Sequence, residues 1–200
     1  HQLMYNQSRT EVAEDLKKSI DVLENITSKK ISCFRAPGFS ITEKNKWVFD
    51  ILYENGIRKD SSIFPATRAH GGFSSFNHNV PTVLKFNGVE LKEFPINTVN
   101  LFGKKIIFSG GGYFRVSPYL FIKYWSKNTS YVMTYFHPRD FDVGQPLIPG
   151  LGLTRRFKSY VGIKGAFGKL TFLLNNHKFM NVAMAVENID WSVTDRVRIS

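Results

Sequence analysis

Four polar residues stand where chemistry could be assembled: His1, Arg35, Asp60 and His137. Arg35 follows the run Ile31-Ser32-Cys33-Phe34. Asp60 ends Ile57-Arg58-Lys59, and His137 follows Tyr131-Val132-Met133-Thr134-Tyr135-Phe136. Each is placed where a β-prone run stops. In a parallel α/β fold the carboxyl ends of the strands share one mouth, and side chains there can act on a common substrate. Charged and imidazole side chains at such a mouth can bind a substrate or move a proton. By spacing alone, a strand-end arginine or aspartate is more often a loop salt bridge than a catalytic group.

The elements that must position these residues alternate. Ser8 and Glu11 have the spacing of a capping box, and Val12, Leu16, Ile20, Leu23 and Ile26 form one stripe, which predicts a helix over 9–27. A short strand over 31–35 follows and stops at Pro37-Gly38. Ser40 and Glu43 repeat the capping spacing before a helix whose apolar face is Trp47, Val48, Ile51 and Leu52 and which ends at Gly56. The next strand covers 57–60. Helix, strand, helix, strand argues for an α/β domain with parallel strands. Residues 66–100 are rich in Gly, Asn, Ser and Pro, with short strands at 82–86 and 91–95. The triplet Gly110-Gly111-Gly112 precedes an aromatic helix over 118–125. Residues 131–136 read as a strand, and 166–176 as a helix beyond a basic stretch.

Composition sets the outer bounds. The chain has 200 residues, enough for a real core, and Cys33 is its only cysteine, so no internal disulfide is possible. Its apolar runs are broken by lysine too soon to span a membrane, and His1-Gln2-Leu3 does not open as a signal peptide. A net charge of +11 suits an anionic partner: nucleic acid, a membrane surface or an acidic glycan. A solvated basic surface accounts for it equally. No helix-turn-helix, zinc-finger or RNP-like pattern is present and the basic residues are scattered, so a nucleic-acid partner is not expected, although a nucleic-acid-binding protein remains a rival reading.

Four segments in order along the chain resemble motifs of the NodB-like polysaccharide deacetylases, the carbohydrate esterase 4 superfamily, and two more resemble one branch of it. His1-Gln2-Leu3-Met4-Tyr5-Asn6-Gln7-Ser8 is similar to the later part of the metal-histidine motif. Phe34-Arg35-Ala36-Pro37-Gly38-Phe39-Ser40-Ile41 resembles the third motif, Lys59-Asp60-Ser61-Ser62-Ile63-Phe64-Pro65 the fourth, and Tyr135-Phe136-His137-Pro138 the fifth. Gly110-Gly111-Gly112-Tyr113-Phe114-Arg115 and Pro149-Gly150-Leu151 look like those of a bacterial branch tied to exopolysaccharide loci.

The resemblance implies a distorted (β/α) barrel, with residues 1–180 as the deacetylase domain and 181–200 as a C-terminal extension. It implies a hydrolase removing N-acetyl or O-acetyl groups from a polysaccharide or oligosaccharide. Metal-activated water attacks the acyl carbon, and a histidine acid protonates the leaving group. Carried over, His1 is a metal ligand for a divalent ion, with zinc suited to such ligands. Arg35 orients the base, Asp60 holds His137, and His137 is the acid. Pro37, Tyr113 and Phe114 are assigned to the substrate. The family's paired aspartates and first metal histidine do not occur here and would lie upstream of His1, with the first barrel strands. On that expectation the 200 residues alone are inactive. A non-catalytic glycan-binding module of the same fold is the alternative.

Other residues carry lesser expectations. His70 and His78 read as exposed loop histidines, and His177 as structural at a helix end. Tyr119, Tyr124 and Trp125 read as core packing. Arg139 and Asp140 either line the cleft or pair with each other. Arg155, Arg156 and Lys158 suit an anionic glycan, a peripheral membrane contact or a solvated face.

Overall fold

The computed structural model describes residues 2–68 and 71–199. In chain order the elements are α1 (Arg9–Thr27), β1 (Cys33–Phe34), α2 (Val48–Glu54), β2 (Lys59–Asp60), β3 (Thr82–Phe86), β4 (Val89–Glu93), β5 (Val99–Leu101) and β6 (Lys104–Ile106). Then come α3 (Gly111–Val116), α4 (Tyr119–Lys127), α5 (Leu153–Tyr160), α6 (Ile163–Asn176), α7 (Val182–Asn188) and β7 (Arg196–Arg198). The chain divides into two compact units, His1–Ile96 with Asn181–Ser200, and Asn97–Met180. Among the described residues no helix is long and apolar enough to cross a membrane.

The first unit is mixed α/β around a five-stranded, mostly parallel sheet of order β1-β2-β4-β3-β7. β1, β2 and β4 are parallel neighbours, and β3 pairs antiparallel with β4 and parallel with β7. Asn87 and Gly88 join β3 to β4 with both φ values positive (46° and 84°), the geometry of a two-residue hairpin turn. The capping box on α1 forms as its sequence predicts: Ser8 Oγ accepts the Glu11 N–H, and the Glu11 carboxylate accepts the Ser8 N–H at 2.7 Å. Val12 and Leu16 enter the core with Phe49, Leu52, Ile57, Leu84 and Leu91. Leu23 and Ile26 at the far end of the stripe stay exposed.

The second capping box, expected at Ser40 and Glu43, does not form. Ser40 Oγ accepts the Met4 N–H at 3.0 Å and donates to the Pro37 carbonyl at 2.6 Å. Glu43 instead accepts from Ser74 and Ser75. α2 starts only at Val48, after a turn in which Asn45 Oδ1 accepts from Thr42.

The second unit holds the β5–β6 hairpin and α3 to α6, around Phe108, Phe114, Ile122 and Leu173. The strand expected over 131–136 reduces to one bridge, Gly110 to Tyr135. The backbone N–H of Met133 goes to the Asn97 side chain at 3.2 Å and not to a ladder partner. Gly110 is required at that bridge, because a Cβ there would collide with the Tyr135 carbonyl and ring. The glycine triplet does not merely precede a helix: Gly110 is the N-cap of α3 and Gly111 its first residue. Trp125 packs on Phe108, 5.5 Å between ring centroids, but Tyr124 is exposed, against the expectation that it packs inside.

Candidate functional site

In the first unit, β1, β2 and β4 run in the same direction and end side by side. Their ends carry Arg35, Asp60-Ser61-Ser62 and Glu93. The register sets Asp60 directly beside Glu93, and both are buried, at 1% and 0% exposure. The Ser62 hydroxyl donates to Asp60 Oδ1 at 2.6 Å and accepts the Ala36 N–H at 2.8 Å, tying the end of β1 to that of β2. Glu93 Oε1 accepts the Ile63 N–H at 3.1 Å. Arg35 spans the same place from its exposed position. Its Nε donates to the Ser61 carbonyl at 3.1 Å and its Nη2 to Ser61 Oγ at 2.7 Å, and its guanidinium lies over the Phe39 ring. Pro37 is half-buried and opens a short 3-10 turn after β1.

Two buried carboxyls on neighbouring strands cannot both ionise cheaply. Burial raises the Asp60 pKa above the usual carboxylate range, against hydrogen bonds from Glu93 and Ser62 that lower it. Burial, then the Asp60 charge, push Glu93 up further, with the Ile63 N–H and the Arg35 charge opposing. Glu93 Oε2 has no hydrogen-bond donor among the described residues. A proton shared with Asp60 removes that deficit, because a protonated carboxyl donates where a carboxylate can only accept. One proton on the pair would supply the missing donor, and the titration belongs to the pair.

In the second unit His137 begins a 3-10 turn, Pro138–Asp140. Its side chain is 69% exposed and its Nδ1 lies 3.7 Å from Asp140 Oδ2. The same oxygen accepts the His137 backbone N–H at 3.0 Å. Asp140 is buried and its other oxygen lies 3.1 Å from Arg115 Nε. That approach is an ion pair with the N–H off the oxygen axis, since Nε makes no aligned hydrogen bond. The rest of the Arg115 guanidinium donates to the carbonyls of Lys158 (2.6 Å), Ser159 (2.9 Å) and Val161 (3.3 Å). Asp140 thus pairs with Arg115, and Arg139 is exposed; the two do not pair with each other. Tyr113 is 45% exposed, whereas Phe114 is fully buried, edge-on to Phe136 with centroids 4.9 Å apart.

Of the residues singled out from the sequence, Arg35 and Asp60 meet in the first unit, and Tyr113, Phe114 and His137 share the second. The expected Asp60–His137 pair has one member in each unit. His1 and His70 lie outside the described residues. His78 is half-buried, with Asp195 3.7 Å from its Nδ1. Glu93 was missed, and so was Arg115 as the partner of Asp140. One signal for Glu93 was present: in β4 it stands two residues after Leu91, on the core face. Arg115 carried a similar signal, a charge beside Phe114 in an apolar helix.

The family model of a domain of unknown function (DUF3473) matches residues 61–187, well over half of the chain. That span holds Ser61, Ser62, Glu93, Arg115, His137 and Asp140, while Arg35 and Asp60 precede it. No curated protein and no solved structure matches the chain.

Proposed function

The chain belongs to the DUF3473 family, and from that premise we propose that it acts in deacetylation of a polysaccharide or oligosaccharide, as the NodB-like enzymes do. On this reading the mostly parallel sheet is the wall of a distorted (β/α) barrel. The observation that supports the reading most is the gathering of Arg35, Asp60 and Glu93 at the ends of three adjacent parallel strands. Polar groups buried at such ends are where α/β enzymes assemble their chemistry.

Removing an N-acetyl group needs an activated water, a polarised carbonyl and an acid for the amine. Among the described residues no group of three His, Cys, Asp or Glu side chains could hold a metal ion. These residues do not by themselves form the divalent-metal, zinc-type site that the resemblance implies, and the ligand assigned to it, His1, lies outside them. What the described side chains supply is orientation and proton handling. Arg35, fixed on Ser61, presents a cation at the strand ends. The Asp60–Glu93 pair stores a proton beside it. His137, with Nδ1 facing Asp140, has Nε2 available to protonate a leaving amine. Tyr113 offers a ring face to a sugar.

Acetate release from a panel of N- and O-acetylated oligosaccharides, measured on the full-length protein with divalent metal and with chelator, tests this. The expected result is metal-dependent release that falls by about 10²-fold or more in His137→Ala, with bound metal unchanged. Glycan binding without any acetate release would replace the enzyme by a binding module.

A further inference from the structure

The basic residues are scattered along the chain, but the net positive charge is concentrated in one unit, because that unit has few acids. Residues 97–180 carry twelve lysines and arginines against two acids, Asp140 and Asp142, a balance of +10; the other residues carry fifteen against fourteen. Within this basic unit α5 is unusual, because none of its residues is buried. Leu153 and Phe157, four apart and so on one face, are 87% and 55% exposed, and Val161 continues their stripe. Leu147 and Ile148 in the preceding loop are exposed as well. That loop is fastened to α5, since the Tyr160 hydroxyl accepts the Ile148 N–H at 2.8 Å and donates to the Pro146 carbonyl at 3.1 Å. Arg155, Arg156 and Lys158 are exposed on the same helix. What holds α5 is its backbone: Arg115 grips its last carbonyls from the buried side. Its exposed side chains, Leu153 to Lys158, are therefore left for something outside the unit.

We infer that α5 and the loop before it dock the second unit onto an anionic phospholipid surface. An amphipathic helix with large apolar residues on one face and arginines and lysine around it lies in the plane of a membrane interface, the apolar face among the acyl chains and the cations at the phosphates. A nucleic acid or an acidic glycan would satisfy the cations but leave Leu153, Phe157 and Ile148 in water. A second copy would cover the apolar face while bringing two units of +10 together, which is unfavourable.

Sedimentation of the 200-residue chain with vesicles tests the inference, using phosphatidylcholine alone and phosphatidylcholine mixed with phosphatidylglycerol. Binding is expected to the mixed vesicles, weakly to phosphatidylcholine, and to fall with added salt. Each basic side chain near such a surface is worth roughly a factor of five in partitioning, so Arg155→Gln with Arg156→Gln should weaken binding about twenty-five-fold. Leu153→Ser with Phe157→Ser should weaken it by about tenfold or more while binding to heparin stays unchanged. On wild-type protein, hydrogen exchange should show new protection over residues 147–161 when mixed vesicles are added, independently of how any variant folds. Equal binding to both vesicle types, wild-type binding by the Leu153/Phe157 variant, or protection confined elsewhere would overturn the inference. So would concentration-dependent dimerisation through α5 without vesicle binding.

Discussion

Replacing Glu93 by glutamine probes the shared proton directly. Glu93 is fully buried beside Asp60, so solvent does not dilute the effect. Its folded-state pKa is raised, by burial first and then by the Asp60 charge. An unfolded glutamate titrates near about 4.3. Below that pH both states hold the proton and the stabilising contribution is fully present. Above it the unfolded chain releases the proton and the folded chain keeps it. Wild-type stability from this pair therefore falls as pH rises, by up to about 1.4 kcal/mol per pH unit, until the raised folded-state value is passed. Glutamine has no proton to lose. Its Oε1 can keep the Ile63 N–H, and its amide can donate to Asp60 and reach toward Thr82 Oγ1, which is buried without a partner among the described residues and pairs with position 93 in the β3–β4 register. Glu93→Gln should thus gain on wild type as pH rises, and exceed it by about 1.5–3 kcal/mol on the alkaline side, the worth of a hydrogen bond to a charged group. Urea denaturation between about pH 5 and pH 8 measures this, read by tryptophan fluorescence. Trp191 packs on Phe94, next to Glu93, with centroids 5.7 Å apart. Parallel pH curves for the two proteins would refute the shared proton.

Three further outcomes follow from the packing. Arg115→Met should destabilise by about 3–5 kcal/mol, because Asp140 is left as a buried unpaired charge, and adding Asp140→Leu should recover the part due to that charge but not the part due to the lost hydrogen bonds to the Lys158, Ser159 and Val161 carbonyls; a double-mutant cycle in urea checks both. Gly110→Ala should cost about 1–3 kcal/mol through overpacking against Tyr135, seen as a lowered melting temperature. Ser8→Ala should cost about 1 kcal/mol and speed hydrogen exchange in the first turn of α1 while leaving α6 unchanged.

The contrast between two equal spacings shows where sequence reading stops. Ser8 and Glu11 form a capping box and Ser40 and Glu43 do not. Both pairs have the sequence spacing of a capping box. The second pair is claimed by partners 31 to 36 residues away, Ser74, Ser75 and Met4. The run 131–136 repeats the lesson for strands. Its β propensity is real, but a strand exists only where a neighbour supplies a ladder, and here Gly110 meets Tyr135 alone.

What the sequence determined by itself was what short-range forces decide: α1 and its cap, the α/β alternation over 9–60, β3, and Arg35 and Asp60 at strand ends. These depend on side-chain period and on contacts within a few residues. The tertiary structure decided which polar groups face one another. Glu93 became the partner of Asp60 because β2 and β4 pair in parallel at that register, across 33 residues of chain. Asp140 became the partner of Arg115, and not of adjacent Arg139, because the turn after His137 points its carboxylate inward at a guanidinium from α3. Burial then set the chemistry of these three carboxylates: low dielectric makes an unpaired charge expensive, so Asp140 pairs with the Arg115 guanidinium, and burial raises the pKa of both Asp60 and Glu93.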